Sequence, residues 1–366
     1  MNTAFDPAMA LHEQLSLALT RSGYPPLAGA TAYRQIGAGA WHDAYLVYPR
    51  GEVPLVVRLR KQIVYGREAA RDAASLHADY APVGLYYQTA NRRWPGKCPA
   101  VYHYRTDADL VYTLESYVPG QPLPLPDLSL HAAHAIGVSI GEFFRVMHLQ
   151  DAPLPGSGLL TWDGHGVCAS LPHTREAMWQ ERTTEKCQQA EALDQAALGL
   201  APSSLQCRAA EALAGLAEQA EPLTLVNRDI TPENLLADGG RWVGLIDPIP
   251  LQDSGIYYAA LFLYGYRLHL PAMSQAPRYA RHGFQAHAAI LAAIADGYAA
   301  SYAQGNTGVR RLLQMAEWLW TLELAYESYV LLRDGLNDEM RVRRGDEANV
   351  RATLARGLHA LETLRW

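Results

Sequence analysis

The 366-residue sequence has few of the features that would assign it at once to a common class. Its 4 cysteines are scattered, with no Cys-x-x-Cys pair, which is typical of reduced thiols in a cytoplasmic protein. The most apolar run, 256–266, is too short to span a bilayer. The net charge of −6 gives no overall attraction to nucleic acid or to an anionic membrane. We therefore expect a cytoplasmic protein that binds neither.

Other signatures are missing as well. Residues 1–13 lack the basic segment followed by an apolar core that would indicate an export signal. The sequence also has no Gly-x-Ser-x-Gly or His-Glu-x-x-His motif. The pairs His131/His134 and His282/His287 lack helix-ligand spacing with a matching acid, so we interpret them as surface or packed histidines. There is no internal repeat, and the length favours two lobes or domains.

The most informative segment is 223–247, which reads LTLVNRDITPENLLADGGRWVGLID. We predict an apolar strand, a polar loop with Asp229 and Asn234, and a second strand that ends on Asp247. Gly239 and Gly240 would form the turn that folds the second strand back beside the first. Phosphoryl transfer with magnesium needs one acid to orient a hydroxyl and two oxygen ligands for the cation. The alternative is an ordinary β-hairpin with polar turn residues.

A glycine turn lies between two predicted strands in 33–48. Gly37 and Gly39 would let backbone amides approach phosphate oxygens. His42 stands where a dinucleotide fingerprint has a glycine, and a strand follows instead of a helix, so a lid over a triphosphate is favoured over a Rossmann turn. The next strand, 53–60, alternates toward Arg58, and a helix is predicted over 66–77. Loops are predicted over 82–97 and 153–166.

The order of these parts resembles the protein-kinase-like fold. The motifs Thr231-Pro-Glu-Asn234 and Leu245-Ile-Asp247 are most similar to those of the aminoglycoside phosphotransferase and choline kinase family. The resemblance covers roughly 33–250 by motif. It implies an α+β bilobal fold, with a small antiparallel β-sheet in the N-lobe and a mainly helical C-lobe.

The resemblance also implies where the two lobes divide. Residues 1–118, including a helix predicted over 7–21, would form the nucleotide-binding lobe. Residues 119–366 would carry the catalytic loop and the acceptor pocket. The proline-rich segment 119–127 is the predicted boundary.

Roles for individual residues follow from the resemblance. Asp229 would accept or orient the proton of the acceptor hydroxyl, while Asn234 and Asp247 would hold one or two Mg²⁺ ions. Arg58 would contact the non-transferred phosphates, and Glu68, early in the next helix, would pair with it. Backbone groups of Ser116 and Val118, at the end of a later strand, would hold the adenine. The residues implied to bind ATP, or GTP in its place, are Gly37, Gly39, Arg58, Glu68, Ser116 (carbonyl) and Val118 (amide). Arg60 and Lys61 compete with Arg58 if the strand register differs.

The sequence departs from the family pattern at three places. The family's usual histidine two residues before the catalytic acid is Asn227 here, and the asparagine near the tip of the glycine loop is replaced by His42-Asp43. Pro248 follows the metal-binding acid and argues against a mobile activation segment. Nothing after it resembles an Ala-Pro-Glu segment, which disfavours a protein substrate.

The acceptor is less well defined. Asp253 would either form a salt bridge with the catalytic loop or face the acceptor. Glu323 and Glu327 share a helical face among aromatic residues, where they would bind a cationic or sugar-like substrate or simply face water. We predict a monomeric or homodimeric phosphotransferase for an aminoglycoside- or nucleoside-like antibiotic, conferring resistance, or for a sugar-like alcohol. The alternatives are a metabolic kinase for an amino alcohol such as choline or homoserine, and a catalytically silent nucleotide or metabolite binder.

Overall fold

The structure is a computed structural model that describes residues 9–29, 31–64, 67–69, 72–196, 198–199, 204–219 and 221–366. The chain forms two compact units. Unit 1 comprises Met1–Gly120, Leu159–Ser170 and Val243–Pro250, and unit 2 comprises Gln121–Gly158, Leu171–Trp242 and Leu251–Trp366. Unit 1 contains most of the strands and unit 2 contains most of the helices.

The strands of the described residues are β1 (Tyr33–Ala38), β2 (His42–Val47), β3 (Leu55–Arg60), β4 (Ile63–Val64), β5 (Arg67–Glu68), β6 (Tyr102–Asp107), β7 (Leu110–Ser116), β8 (Gln121–Pro122), β9 (Ser157–Trp162), β10 (Val167–Leu171), β11 (Leu223–Asn227), β12 (Leu235–Asp238), β13 (Arg241–Leu245) and β14 (Pro250–Ser254).

The helices are α1 (Leu11–Arg21), α2 (Ala73–Arg93), α3 (Leu130–His148), α4 (Arg175–Gln195), α5 (Ser204–Ala217), α6 (Gly255–Tyr264), α7 (Leu270–Ala272), α8 (Ala288–Ala303), α9 (Thr307–Asp334), α10 (Asp338–Arg344) and α11 (Glu347–Thr363). Short 3₁₀ turns occur at Leu125–Asp127 and Ala280–His282, and a π-helical turn occurs at Gly265–His269.

Unit 1 is built around an antiparallel sheet with strand order β1-β2-β3-β7-β6. Leu55, Val57 and Leu114 form part of a core that also includes Leu15 and Leu19 of α1. Alternation in β3 buries these apolar side chains on one face, which turns Arg58 to the opposite face. The predicted N-terminal helix is present from Leu11 onward, and the part of that prediction at 7–8 lies outside the described residues.

Helix α2 differs from the prediction at both ends. It begins at Ala73, where Asp72 accepts a hydrogen bond from the Ser75 amide as an N-cap, and it continues to Arg93 with Pro82 in its interior. Its predicted start, residue 66, lies outside the described residues. The expectation of a loop over 82–97 was wrong because burial of the helix's aromatic face outweighs the cost of an interior proline, about 3 kcal/mol.

Unit 2 packs its helices closely. A Cβ at Gly137 of α3 would lie 1.9 Å from the Ile294 carbonyl oxygen, and one at Gly297 of α8 would lie 2.0 Å from the His134 carbonyl oxygen. Only glycine permits this approach, because any side chain would clash with the facing backbone. The long helix α9 packs against α4, α5, α6 and α11. It therefore forms the centre of the helical unit.

The segment 223–247 forms three strands instead of two. Gly239 and Gly240 have φ angles of 53° and 73° and make the predicted tight turn, but this turn joins β12 to β13. Strand β11 belongs to a different sheet, while Leu236 and Ala237 of β12 pair with Pro122 and Gln121 of β8. The expected pairing of the first strand with the second is therefore wrong.

Local patterns also missed shorter elements. The segment 153–166, expected to be a loop, contains strand β9, and residues 250–254 form β14. Among the described residues, no helix is long and apolar enough to cross a membrane.

Candidate active site

Arg58 of unit 1 lies between two carboxylates. Its Nε is 2.7 Å from Glu115 Oε1, and its Nη1 is 3.3 Å from Asp247 Oδ2. Burial by itself lowers the pKa of Arg58, but the attraction of the two carboxylates outweighs it and raises the pKa above its ordinary value. The Arg58 side chain is 12% exposed, whereas that of Asp247 is 54% exposed. A fixed positive charge therefore stands beside an acid that solvent can reach.

Glu115 is a residue that the sequence analysis missed. It lies on β7, where Val56 of β3 is its direct cross-strand partner, so Arg58 reaches it diagonally. Burial raises the pKa of Glu115, opposed by Arg58 and by the Tyr87 hydroxyl, which donates to Oε2 at 3.2 Å. The available signal was an acid within the apolar run of β7.

Glu68 does not lie on a helix as predicted. It is an exposed residue of β5, which pairs with β4. Arg58 pairs with the strand acid Glu115 instead. Any contact of Glu68 with the nucleotide remains a prediction.

Asp247 follows β13 in a conformation that a side chain rarely adopts. Its φ is 54°, in the left-handed region, and its amide donates a hydrogen bond to the Tyr87 hydroxyl at 3.0 Å. Such a conformation in a residue other than glycine costs on the order of 1 kcal/mol or more and needs support from its surroundings. Arg58 and Tyr87 supply that support from within unit 1.

The glycine turn is held by hydrogen bonds of its own backbone and of Lys61. The Gly39 amide donates to the His42 carbonyl at 2.9 Å, and Lys61 Nζ donates to the Gly39 carbonyl at 2.7 Å. Lys61 also lies 3.3 Å from Asp43. Gly37, in β1, sits at an irregularity in the pairing with β2. Both glycines are thus in a structured turn, and their contact with phosphate remains a prediction.

Arg60 belongs to a separate cluster with Tyr80 of α2. Its Nη1 lies 3.0 Å from Asp79 and donates to the Tyr80 hydroxyl at 3.1 Å, which in turn lies 2.8 Å from His42 Nε2. Burial lowers the pKa of His42 to about 4. Since Arg60 and Lys61 have these other partners, Arg58 is the basic residue of β3 that accompanies Asp247.

Ser116 and Val118 lie at the end of β7 and just beyond it. Ser116 Oγ accepts hydrogen bonds from the amides of Ala100 and Val101 at 2.7 and 3.2 Å. Val118 is buried, and a Cβ at Gly244 would lie 2.7 Å from its Cγ1. This segment is therefore firmly packed in unit 1. The adenine contacts assigned to it stay a prediction.

The loop between β11 and β12 in unit 2 is braced by two asparagines. Asn227 Oδ1 accepts from the Asp229 amide at 2.9 Å, and the Asp229 carbonyl accepts from Asn227 Nδ2 at 3.3 Å and from Asn234 Nδ2 at 3.4 Å. Both asparagines are buried, while Asp229 is half-buried. Side-chain to backbone bonds of this kind fix a turn without regular secondary structure. Asn227 thus supports the loop where the family usually has histidine.

Two tyrosines near Asp229 were not selected from the sequence. Burial raises the pKa of Tyr266 and the negative charge of Asp229 raises it further. Burial and Asp229 also raise the pKa of Tyr279, opposed by Arg278. Tyr266 lies in the π-helical turn, a feature often found at functional sites. Both rings therefore lie within electrostatic range of the predicted catalytic acid.

The three acids proposed for the acceptor all have cationic partners in unit 2. Asp253 lies 2.6 Å from Arg182 of α4, so its ion-pair partner is Arg182 and not a residue of the catalytic loop. Its contact with the acceptor stays a prediction. Glu323 lies 2.7 Å from Lys186, and Glu327 lies 2.5 Å from Arg344. Each glutamate is therefore part of an ion pair. Their partners lie too far away in the sequence for a local pattern to predict the pairing.

The donor groups present are suitable for magnesium. Asp247 offers a half-exposed carboxylate, and Asn234 offers a carboxamide whose nitrogen is bonded to the Asp229 carbonyl. No group of three or more His, Cys, Asp or Glu residues that could hold a metal is found among the residues the structure describes. Mg²⁺ usually takes one or two protein oxygens and completes its shell with phosphate and water, so the Asp247 carboxylate and the Asn234 carboxamide each have the chemistry of a magnesium ligand.

The antiparallel sheet of unit 1 and the helical unit 2, with the loop Asp229-x4-Asn234, define a protein of the kinase-like α+β class. Residues 32–260 match the phosphotransferase enzyme family (APH), and the chain belongs to this family. No curated protein sequence gives a significant match.

Two solved structures are similar in fold. A thermostable mutant of aminoglycoside phosphotransferase APH(4)-Ia, in ternary complex with ADP and hygromycin B, is 14% identical, with 95% of this chain and 97% of that chain covered and a TM-score of 0.53. A protein from Thermobifida fusca YX-ER1, provisionally named a fructosamine-3-kinase, is 16% identical, with 97% and 100% covered and a TM-score of 0.50.

These comparisons confirm the predicted family resemblance and fold class. They also confirm the prediction of a small-molecule phosphotransferase enzyme at the level of the family. The roles of individual residues stay predictions.

Proposed function

We propose that this chain transfers the γ-phosphoryl group of ATP, or of GTP, to a hydroxyl of an antibiotic or a sugar-like alcohol in a magnesium-dependent reaction. Asp229 accepts the hydroxyl proton as the acceptor oxygen bonds to phosphorus and the bond to the nucleoside diphosphate breaks. Catalysis then depends on positioning and charge neutralisation, with no covalent enzyme intermediate. The need for a nucleoside triphosphate is the reason for placing this reaction in the cytoplasm.

The remaining roles divide between the two units. In unit 1, Arg58 contacts the non-transferred phosphates and Asp247 is one magnesium ligand. In unit 2, Asn234 is a second magnesium ligand. Bound magnesium supplies positive charge that neutralises the phosphate oxygens. Gly37 and Gly39 approach the phosphates through their backbone amides, and Ser116 and Val118 hold the adenine.

The observation that carries this proposal is the solvent exposure and the backbone conformation of Asp247. It is a half-exposed acid on a left-handed backbone, 3.3 Å from a buried guanidinium. An acid that served only to neutralise Arg58 would not need solvent access, since Glu115 already lies 2.7 Å from the same guanidinium. Asp247 is therefore suited to take a further cation from solution.

The ion pairs of unit 2 support a polyhydroxyl acceptor over a quaternary amino alcohol such as choline. Glu327 is 43% exposed and its charge is balanced by Arg344, so it can accept hydrogen bonds without attracting a quaternary ammonium strongly. Glu323 is balanced in the same way by Lys186. The similar structures, one an aminoglycoside phosphotransferase bound to hygromycin B and one provisionally named a fructosamine-3-kinase, likewise favour a polyhydroxylated acceptor, with or without amino groups.

An acceptor screen tests this proposal. Nucleoside diphosphate release is measured with ATP and with GTP over a panel of aminoglycosides, nucleoside antibiotics, sugars, choline and homoserine. We expect release with a sugar-like compound and little with choline. With that acceptor, Asp229→Ala should lower kcat by roughly 10²- to 10⁴-fold, since general base catalysis contributes about that much. ADP affinity should be retained.

The outcomes separate the alternatives. Release with choline or homoserine alone would assign a metabolic kinase. Nucleotide binding without release for any compound would favour a silent binder. Turnover of Asp229→Ala near the wild-type rate would refute the assignment of the base.

A further inference from the structure

We propose that Tyr87 and Glu115 are positioning residues that jointly fix the phosphate-binding Arg58 and the metal-binding Asp247. This inference rests on the proposed function, which assigns the roles of Arg58 and Asp247. It adds two residues for which neither the sequence motifs nor the family match provides a role. Neither residue is expected to touch nucleotide or metal.

The four side chains form a closed ring of contacts within unit 1. Arg58 joins Glu115 at 2.7 Å and Asp247 at 3.3 Å. Tyr87 closes the ring, because its hydroxyl donates to Glu115 at 3.2 Å and accepts from the Asp247 amide at 3.0 Å. The ring therefore connects helix α2, strands β3 and β7, and the residue that follows β13.

The direction of each hydrogen bond in this ring is determined by chemistry. A backbone amide can only donate, so the Tyr87 hydroxyl must accept from Asp247. The hydroxyl has a single proton, and this proton is then available for the carboxylate of Glu115. A phenylalanine at position 87 would leave both the amide and one carboxylate oxygen without these bonds.

The surroundings hold Tyr87 in place. Its side chain is buried, and its ring packs edge-on against Tyr102 with centroids 5.5 Å apart. Asp247 needs such a fixed partner because its φ of 54° is unfavourable for an aspartate. Tyr87 thus stabilises the backbone that presents the acid to solvent, while Glu115 holds the guanidinium beside it.

The test compares Tyr87→Phe with Tyr86→Phe. Tyr86 is a neighbouring buried tyrosine of the same helix whose hydroxyl lies outside the ring of contacts, so it controls for the loss of a buried hydroxyl. ADP affinity is titrated calorimetrically with and without Mg²⁺. Loss of a bridging hydrogen bond should weaken Mg²⁺-dependent ADP binding in Tyr87→Phe by roughly five- to tenfold. Binding without Mg²⁺ and the Tyr86→Phe variant should stay close to wild type.

A second measurement does not depend on the nucleotide. Hydrogen exchange of the Asp247 amide should be at least about fivefold faster in Tyr87→Phe than in Tyr86→Phe, because that amide loses its acceptor. If Tyr87→Phe does not fold, Glu115→Gln provides the test, since it keeps the shape but removes the charge beside Arg58. It should weaken ADP binding about tenfold even without Mg²⁺.

Asp247→Asn distinguishes failure of the inference from failure of the proposed function. If Asp247→Asn weakens Mg²⁺-dependent binding but Tyr87→Phe behaves like Tyr86→Phe in both measurements, the positioning role is refuted and the metal role stands. If Asp247→Asn has no effect on Mg²⁺-dependent binding, the proposed metal role itself is wrong.

Discussion

Each unit contains a buried arginine paired with an aspartate, and the two pairs differ in a way that separates structure from function. In unit 2, Arg182 lies 2.6 Å from Asp253, which is 7% exposed. Asp253 also accepts from the Ser254 amide, and Arg182 stacks 4.0 Å from the Tyr257 ring centroid. In unit 1, the acid beside Arg58 is 54% exposed. The acid of the first pair is enclosed within its own unit, whereas the acid of the second is accessible to solvent.

The comparison shows that an ion pair by itself does not mark a functional site. Both guanidinium groups have pKa values raised above the ordinary range by their carboxylates, against the effect of burial. What differs is the exposure and the backbone of the acid: Asp247 is solvent-accessible and left-handed, while Asp253 is a buried residue of β14. These two properties fit the proposed role of Asp247 as a ligand-binding acid, and Asp253 has neither of them.

Removing the two arginines separately should give the largest effects. Arg58→Met and Arg182→Met should each lower the free energy of unfolding by about 3 to 5 kcal/mol, because each leaves a buried carboxylate without its partner. Only Arg58→Met should in addition weaken ADP binding by the folded protein. Denaturant unfolding and ADP titration measure the two effects.

Double variants provide the control for this comparison. Arg58→Met with Glu115→Met, and Arg182→Met with Asp253→Met, should recover part of the lost stability, since no unpaired carboxylate remains at those positions. Nucleotide affinity should not recover in the first double variant. Equal losses of ADP affinity in both single arginine variants would show that the proposed difference between the pairs is wrong.

The difference between these pairs also explains what the sequence could reveal. Alternation in β3 was enough to turn Arg58 away from the core, because side-chain direction in a strand is a local property. The role of Glu115 depends on the register of β3 against β7, which is set by non-local pairing. The partners of Asp253 and Glu323 lie 71 and 137 residues away, so an isolated acid gave no sign of either ion pair.

The helix α2 shows the same limit for secondary structure. Pro82 indicated a loop, yet the segment is helical because Tyr80, Tyr86 and Tyr87 are buried along it. Propensity is local, whereas the burial that outweighs it depends on the fold. In contrast, the turn at Gly239 and Gly240 was predicted in the right place because two positive φ angles strongly favour glycine.

A second comparison concerns two asparagines that brace loops, one in each unit. Asn227 bonds both the amide and the carbonyl of Asp229, and Asn91 bonds the amide and carbonyl of Cys98 in the same manner. Replacing either by alanine should lower stability by about 1 to 3 kcal/mol, the cost of leaving buried polar groups unpaired. Only Asn227→Ala should also lower kcat, because it loosens the backbone that carries the proposed base.

Kinetics of the two asparagine variants at a temperature where both are folded decide this point. The nucleotide KM should change little in Asn227→Ala while kcat falls. Asn227→His, which restores the family's usual residue, should retain more of kcat than the alanine variant. Equal kcat values for Asn227→Ala and Asn91→Ala would mean that loop bracing does not matter to the chemistry.

The smallest expected effect concerns pH and His148, which ends α3 in unit 2. Its side chain is buried and its Nδ1 lies 3.0 Å from the Tyr302 hydroxyl. Burial lowers the pKa of His148 to about 3 from 6.5. Because the folded pKa is below the unfolded one, the unfolded chain binds the extra proton between these values. Stability should therefore be independent of this group above about pH 6.5 and fall with acidification below it.

The slope of the free energy of unfolding against pH tests the predicted direction of this effect. The wild type should lose up to about 1.4 kcal/mol more per pH unit between pH 6 and 4 than His148→Gln, the amount that one linked proton provides. His131→Gln, the same replacement at an exposed position of the same helix, is the matched control. Parallel curves for wild type and His148→Gln would show that His148 can be protonated in the folded protein. The expected slope would instead show that His148, like Arg182 and Asp253, contributes to the stability of unit 2. The exposed acid Asp247 of unit 1 differs from all three.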